Sequence, residues 1–308
     1  MDRRSAQAPV AVIMIRPHHF SPNEETAEDN AFQQSANGLN QFEMAKAAYS
    51  EATLAAETLE RHGIKVHIFE DKGVETPDSV FPNNWFSTHA GGHIAIYPMF
   101  PENRRLERRH DVIEMLKKEY RVQDIIDYSG LEPDGLFLEG TGAMVLDHID
   151  RIAYAARSNR TDPVALERFC THFNYEPMVF DALDESGTPI YHTNVMMCIA
   201  TDFVMICLDM MTDKDTCAEI VERFENSGRD VIALSKEQIA KFAGNALELQ
   251  GSEGRILALS SVAQEALTKE QISIIEQSTQ LLSLDIPTIE MAGGSVRCML
   301  AGIHLLPR

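Results

Sequence analysis

Apolar and polar residues follow one another along this chain in a recurring order. A short run rich in β-branched and aromatic residues precedes a polar turn, a second such run, a stretch with helical spacing and a third short run. Runs of this kind predict strands, and the helical spacing predicts a helix between the second and third strand. Four instances succeed one another, at residues 84–127, 143–180, 194–234 and 246–290.

Local signals place the helices within these units. In the second unit Asp162 is followed by Pro163, which is typical of an N-cap and a proline at the first helical position. In the fourth unit the pattern predicts a helix through residues 272–281 and a last strand at 288–290.

The two ends of the chain carry the parts of one more unit. A fifth unit begins near Val296 but the chain soon stops, whereas the other end supplies a strand at 10–15, a helix at 41–62 and a strand at 64–69. Strand pairs with crossover helices, repeated around a circle, describe a propeller. We therefore expect an α/β fold of five ββαβ units, closed by pairing the terminal segments, with residues 1–308 as a single domain.

Polar residues recur at the start of these units. Asn84, Glu139, His192, Asn245 and Cys298 are separated by 55, 53, 53 and 53 residues. Equivalent residues of a closed ring face the same axis, so this spacing predicts that the five side chains share one central cavity.

Charge and cysteine content exclude several classes of function. The net charge of −20 argues against binding to nucleic acid or to an anionic membrane. The five cysteines are widely spaced without a CxxC pair, so neither a disulfide framework nor a zinc site is expected. No targeting segment is evident, and a reducing cytoplasm is the expected location.

Three of the periodic residues are candidates for catalysis. Cys298 follows two glycines and could be a nucleophile or a buried strand cysteine. His192 could transfer protons or be a hydrogen-bonded core histidine. Glu139, within an apolar run, could hold a cation, orient the histidine or lie exposed at a strand end.

Other polar residues are candidates for substrate binding. Asp78 and the pair Asn83-Asn84 could bind substrate nitrogens, although the same residue types favour a turn. Arginine pairs could clamp a carboxylate through their guanidinium forks, or be solvated at helix ends; these pairs are Arg104-Arg105 and Arg157-Arg160.

Four motifs together resemble the guanidino-group-modifying superfamily, which contains arginine deiminases, dimethylarginine dimethylaminohydrolases and amidinotransferases. The resemblance covers essentially the whole chain, and its motifs are Pro77-Asp78-Ser-Val-Phe, Leu138-Glu139-Gly140, Tyr191-His192-Thr-Asn and Gly293-Gly294-Ser-Val-Arg-Cys298-Met. Two further segments, Phe81-Pro-Asn-Asn-Trp and Ile13-Met-Ile-Arg-Pro-His-His-Phe, are similar to the citrulline-utilisation branch. The resemblance implies the five-unit α/β propeller called a pentein.

The resemblance also implies roles for individual residues. It makes Cys298 the nucleophile, His192 the general acid/base and Glu139 the third catalytic residue. It implies that Asp78 binds the substrate's nitrogen atoms and that Arg104 and Arg157 bind its carboxylate, while Asn83 and Asn84 remain binding candidates from the sequence itself. The chain departs from the pattern Glu-Gly-Gly-Asp at 139–142, and it has Asn84 where many relatives have a second carboxylate.

These features favour a cysteine-dependent hydrolase of a small amino-acid substrate, with neither metal nor organic cofactor. Asn84 can donate to a ureido oxygen and an ionised carboxylate cannot, which favours citrulline over arginine. Arginine deiminase or dihydrolase, dimethylarginine dimethylaminohydrolase and amidinotransferase activities remain alternatives. A non-catalytic ligand-binding propeller and a redox sensor are less favoured, and the oligomeric state is open, with a homodimer as one candidate.

Overall fold

The computed structural model describes residues 5–27, 30–34 and 40–308. Within these residues, fifteen strands form five sheets of three strands each. The strands are β1 (Ala11–Pro17), β2 (Lys65–Asp71), β3 (Phe86–His89), β4 (His93–Ile96), β5 (Asp124–Asp127), β6 (Met144–Asp147), β7 (Ile152–Ala156), β8 (Glu176–Phe180), β9 (Met197–Ile199), β10 (Phe203–Ile206), β11 (Asp230–Ala233), β12 (Leu247–Gln250), β13 (Arg255–Ser260), β14 (Gln280–Leu284) and β15 (Ala301–Gly302).

All five sheets share one pattern. The middle strand pairs antiparallel with one neighbour and parallel with the other, as β4 does with β3 and β5. The sheet orders are β15-β1-β2, β3-β4-β5, β6-β7-β8, β9-β10-β11 and β12-β13-β14. Parallel neighbours need a crossover connection, and each parallel pair is joined through at least one helix. The order of elements expected from the apolar runs is therefore observed.

The helices begin where their sequences supply a cap. Asn40 and Glu43 form a reciprocal capping box at the start of α1, and Asp162 accepts from two backbone N–H groups at the start of α4. The helices are α1 (Gln41–Arg61), α2 (His110–Glu119), α3 (Gly140–Ala143), α4 (Pro163–Phe173), α5 (Lys214–Asn226), α6 (Lys236–Ile239), α7 (Ser261–Ala266), α8 (Lys269–Ile275), α9 (Pro287–Glu290) and α10 (Val296–Met299). Short 3-10 turns occur at Pro82–Asn84, Asn103–Glu107 and Thr193–Val195, among other places.

The two ends of the chain meet in one sheet. Strand β15 pairs antiparallel with β1, with Gly302 opposite Val12 and Ala301 opposite Ile13. The pairing of the terminal segments is as expected from the sequence.

One cavity of about 40 Å³ is lined by the antiparallel edge strand of every sheet, namely β3, β6, β9, β12 and β15. Apolar side chains fill the space between the sheets and the helices, as Ala48, Ala52 and Leu59 of α1 do beside Val12 and Met14 of β1. Residues just before three of the edge strands also line it, namely Thr141, Ala246 and Arg297. None of the helices within the described residues is long and apolar enough to span a membrane.

The fourth unit differs from its prediction. Helix α8 ends at Ile275, residues 280–284 form the last strand, and residues 287–290 form the short helix α9 instead of a strand. Pro287 suits the first turn of a helix, and the carboxylate of Glu51 accepts from the backbone N–H groups of Thr288 and Ile289. Because that cap comes from a residue more than two hundred positions away, the local pattern could not reveal it.

Candidate active site

The five periodic polar residues all lie immediately before or beside an edge strand. Asn84 ends a 3-10 turn before β3, Glu139 and His192 precede short turns before β6 and β9, and Asn245 precedes β12. Cys298 lies in the helical turn α10 before β15, not in a strand. Each of the five is at most 3% exposed.

Two side-chain amides contact the sulfur of Cys298. The Nδ2 atoms of Asn194 and Asn245 each lie 3.3 Å from Cys298 Sγ and donate to it. The Asn245 amide also donates to the backbone oxygen of Asn194 at 3.1 Å, which holds the two asparagines together. The sulfur is therefore surrounded by neutral hydrogen-bond donors.

The imidazole of His192 is paired with Glu139. His192 Nε2 lies 2.8 Å from Glu139 Oε2, and both side chains are almost completely buried. Burial raises the pKa of Glu139, but the charge of Arg160 and the hydrogen bond from His192 outweigh it and lower that pKa to about 2. An ionised carboxylate only accepts hydrogen bonds, so Nε2 carries the proton and Nδ1 of the neutral ring is left as a proton acceptor.

Burial lowers the pKa of His192, and the hydrogen bond and charge of Glu139 oppose that effect. The ring is consequently neutral near pH 7, which suits a group that must accept a proton.

Two buried arginines face the same carboxylate. The distances from Glu139 Oε2 are 3.8 Å to Arg104 Nη1 and 3.5 Å to Arg160 Nη1. Arg104 also forms two parallel hydrogen bonds of 2.9 Å to Glu107, from Nε and Nη2. This side of the site is thus a buried cluster of interleaved positive and negative charges.

Asp78 completes the charged cluster. Its Oδ2 accepts from Asn23 Nδ2 at 2.8 Å and lies 3.7 Å from Arg104 Nε. Its Oδ1 is buried and has no hydrogen-bond partner among the described residues. Burial raises the pKa of Asp78, and the charge of Arg104 opposes it. An N–H donor of a ligand would satisfy the free oxygen.

Asn84 links the arginine to the neighbouring asparagine. When its carboxamide is oriented so that both ends have complementary partners, its oxygen accepts from Arg104 Nη1 at 2.8 Å and from Nη2 at 3.1 Å. Its nitrogen then donates to Asn83 Oδ1 at 2.8 Å. The carbonyl of Asn84 is therefore held by the protein, and one amide N–H remains for another partner.

The glycines that follow Glu139 permit close approach. Gly140 has φ +49°, and a Cβ there would lie 2.4 Å from the backbone oxygen of Asn83. A Cβ on Gly142 would lie 2.4 Å from the Asn84 carboxamide, at its nitrogen in the orientation given above, and 2.9 Å from His192 Nδ1. Both glycines are thus required for the charged cluster to pack against the imidazole.

These groups share a narrow cavity. Its lining includes Asp78, Asn84, Arg104, Arg160, His192 and Cys298. The volume of about 10 Å³ has room for roughly one water molecule. An amino acid can enter only if lining side chains separate.

The structure brings together most of the residues singled out in the sequence. Cys298, His192, Asp78, Asn84 and Arg104 line the cavity. Glu139 and Asn83 do not line the cavity. Glu139 contacts the lining residue His192, and Asn83 contacts the lining residue Asn84.

Arg157 lies elsewhere. Its side chain is 48% exposed and forms an ion pair with Asp181 at 2.8 Å, whereas Arg160, three residues later, lines the cavity. Arg157, which was expected to bind the substrate carboxylate, therefore has its guanidinium on the surface. Of the pair Arg157-Arg160, it is Arg160 that lies in the site. In the described part of the chain, no cluster of three or more His, Cys, Asp or Glu is arranged to hold a metal ion.

Three contributing residues were not among the sequence candidates for this site. Asn194 contacts the sulfur, Asn23 binds Asp78, and Glu107 pairs with Arg104. Asn194 lies two residues after His192, so its proximity to the motif was the available signal. Asn23 and Glu107 come from segments that have no periodic spacing.

Residues 16–305 match the sequence profile of the family described as N,N dimethylarginine dimethylhydrolase, eukaryotic. The chain belongs to this family. It is therefore a member of the guanidino-modifying superfamily and a hydrolase that acts on non-peptide C–N bonds. No curated protein sequence matches the chain.

Solved structures of similar fold come from the same superfamily. The N-terminal domain of ArgZ, an arginine dihydrolase from the ornithine–ammonia cycle in cyanobacteria, was solved as a cysteine-to-serine mutant bound to substrate. It is 15% identical with a TM-score of 0.73, covering 95% of this chain and 97% of that chain. Unliganded AgrE is 17% identical with a TM-score of 0.75, and the match covers 97% of this chain but 40% of AgrE.

A dimethylarginine dimethylaminohydrolase from Pseudomonas aeruginosa, a cysteine-to-serine mutant complexed with citrulline, is 14% identical. Its TM-score is 0.61, and the match covers 98% of this chain and 100% of that chain. At these identities the likeness shows a shared fold and leaves the substrate of this chain to be argued from its own residues.

Proposed function

We propose that this protein hydrolyses the ureido group of citrulline to ornithine, ammonia and carbon dioxide through a covalent intermediate on Cys298. The observation that carries the proposal is the pairing of Glu139 with two buried arginines, at 3.5 and 3.8 Å, beside the imidazole of His192.

The charged cluster leaves one carboxylate oxygen for the substrate. Arg104 and Arg160 face Glu139 and Glu107, which leaves Asp78 as the carboxylate with a free oxygen among the described residues. Three carboxylates face two arginines, so charge alone admits a guanidinium as well as a ureido group. A ureido group is neutral, offers N–H donors to Asp78 and carries an oxygen that accepts hydrogen bonds.

Asn84 favours a ureido group over a guanidinium. Its carbonyl accepts from Arg104 and one amide N–H goes to Asn83, so a single N–H is available for a ureido oxygen. A carboxylate in its place would have none to donate.

The reaction begins at the sulfur. As Cys298 Sγ attacks the ureido carbon, His192 Nδ1 takes the thiol proton and passes it to the terminal nitrogen, which leaves as ammonia. A thiocarbamate now joins the sulfur to the ureido carbon, which still carries the ornithine nitrogen. Glu139 holds the ring through Nε2 and stabilises the transient imidazolium.

Water completes the reaction. His192 Nδ1 removes a proton from a water molecule, which attacks the thiocarbamate carbon, and the C–S bond breaks as the proton returns to the sulfur. The product is the carbamate of ornithine, which separates into ornithine and carbon dioxide. One water molecule is consumed, and the atoms balance.

A guanidino substrate is the second candidate. The family is described as a dimethylarginine hydrolase, and ArgZ, which has a similar structure, is described as an arginine dihydrolase. Asp78 has a carboxylate oxygen available for a guanidinium N–H as well. Arginine would give citrulline and ammonia, or ornithine if both steps proceed, and dimethylarginine would give dimethylamine.

The deciding experiment uses citrulline, arginine, agmatine and methylated arginines separately, with ammonia, alkylamine and amino-acid products measured. We expect ammonia and ornithine in equal amounts from citrulline and much slower turnover of the guanidino compounds. Turnover of arginine or dimethylarginine with none of citrulline would replace the proposal by the second candidate. Transfer of the group to an added amine would indicate an amidinotransferase.

We also propose that the five sheets form one closed ring, the pentein propeller, as a single catalytic domain of residues 1–308. The shared cavity lined by all five edge strands and the pairing of β15 with β1 support it.

A further inference from the structure

The orientation of the Asn245 carboxamide is fixed by its neighbours. Its Oδ1 accepts from the backbone N–H of Arg297 at 3.0 Å, so the opposite end of the amide must carry the N–H donors. Those donors reach the backbone oxygen of Asn194 at 3.1 Å and Cys298 Sγ at 3.3 Å. The amide is therefore locked with a donor against the sulfur.

Asn194 supplies a second donor to the same atom. Its Nδ2 lies 3.3 Å from Cys298 Sγ, and both asparagines are completely buried. A thiol sulfur is a weak acceptor, and two buried donors directed at it are poorly satisfied. A thiolate accepts charge-assisted hydrogen bonds and satisfies both.

We propose that Asn194 and Asn245 form a thiolate-binding set that stabilises the ionised Cys298 nucleophile. This inference rests on the proposed function only in taking Cys298 as the nucleophile. It deepens that function, because a neutral ureido group brings no positive charge to the sulfur and the protein must supply the stabilisation itself. When the thiol ionises during attack on the substrate, its proton passes to the neutral His192 ring at Nδ1.

The test measures alkylation of Cys298 by iodoacetamide as a function of pH, without substrate. The Cys298 peptide is followed by mass spectrometry, because other cysteines, such as the half-buried Cys217, also carry free thiols. The principal variant is Asn245→Asp, which keeps an acceptor for the Arg297 N–H and replaces the donor at the sulfur by a carboxylate oxygen. The exposed Asn226→Asp, at the end of α5, is the matched control.

We expect the midpoint of the alkylation profile to rise by about one pH unit or more in Asn245→Asp, with a rate at pH 7 at least about 10-fold lower than in the wild type. Asn226→Asp should match the wild type. Asn194→Ala should shift the midpoint in the same direction, and it keeps the proposal testable if Asn245→Asp does not fold.

Superimposable profiles for folded Asn245→Asp, Asn194→Ala and the wild type would overturn the thiolate-binding set, even if citrulline is hydrolysed. Shifted profiles together with no citrulline turnover would support the set and reject the substrate. The two proposals can therefore fail independently.

Discussion

The two sides of the candidate site stabilise their reactive groups by different means. Around His192 the protein uses full charges, with an ionised Glu139 held between two buried arginines. Around Cys298 it uses the neutral amides of Asn194 and Asn245. The acid–base side thus holds Glu139 ionised beside the imidazole, whereas the nucleophile side offers neutral hydrogen-bond donors to the sulfur.

The largest effect should come from the nucleophile. Cys298→Ala removes the atom that forms the covalent bond, so we expect turnover to fall by at least about 10³-fold. Substrate affinity should be nearly unchanged because the charged side remains intact, and calorimetry with citrulline measures it. Wild-type turnover by this variant would contradict the assignment of the nucleophile.

Glu139→Gln should reduce kcat by roughly 10²- to 10⁴-fold, since the amide no longer stabilises the imidazolium. Glu139 opposes the lowering of the His192 pKa by burial, so its neutralisation should lower that pKa further. The acidic limb of the kcat/KM profile should move to lower pH. A shift to higher pH would show that Glu139 does not act on His192 in this way.

Glu139 should also contribute to stability in a pH-dependent way. Its pKa is lowered from 4.5 to about 2 in the folded protein, so its contribution is present above pH 4.5 and is lost as the pH falls towards 2. The contribution is on the order of 3 kcal/mol. The difference in free energy of unfolding between wild type and Glu139→Gln should narrow over that range, as measured by denaturant titration. A constant difference would argue against an ionised Glu139.

Asn84→Asp should change substrate preference more than stability. The new carboxylate adds negative charge beside Arg104 and removes the N–H available to a ureido oxygen. The ratio of kcat/KM for arginine to that for citrulline should rise by roughly 10-fold or more. Parallel kinetics with the two substrates measures the ratio, and an unchanged value would remove Asn84 from the specificity argument.

The smallest effect is expected at Arg157, which is paired with Asp181 at the surface. Arg157→Met should cost less than about 1 kcal/mol in unfolding free energy and leave kcat/KM within about twofold. Arg160→Met, by contrast, removes a cation from the site and should impair activity. Equal losses in both variants would show that the arginine in the site has been wrongly chosen.

The regular features could be predicted from the sequence because they repeat. The period near 53 located all five segments that precede the edge strands, and the apolar runs gave most strands to within two or three residues. Asp162-Pro163 marked the start of α4 because its capping is local. These signals depend on neighbouring residues or on repetition, so one sequence suffices to read them.

Other features depend on contacts between distant parts of the chain. Arg157 and Arg160 have the same local character, and only the packing of the turn shows which guanidinium points inward. The cap of α9 by Glu51 and the contact of Asn23 with Asp78 join residues far apart in the sequence. No periodicity or motif identifies such pairs.

The central claim is that Cys298 forms a covalent bond to the ureido carbon, and a quenched reaction tests it most directly. Wild-type protein mixed with citrulline, acid-quenched and digested should yield a Cys298 peptide heavier by the mass of citrulline less ammonia, and Cys298→Ala should yield none. Turnover of citrulline without any adduct on Cys298, or with the adduct on another residue, would contradict the account.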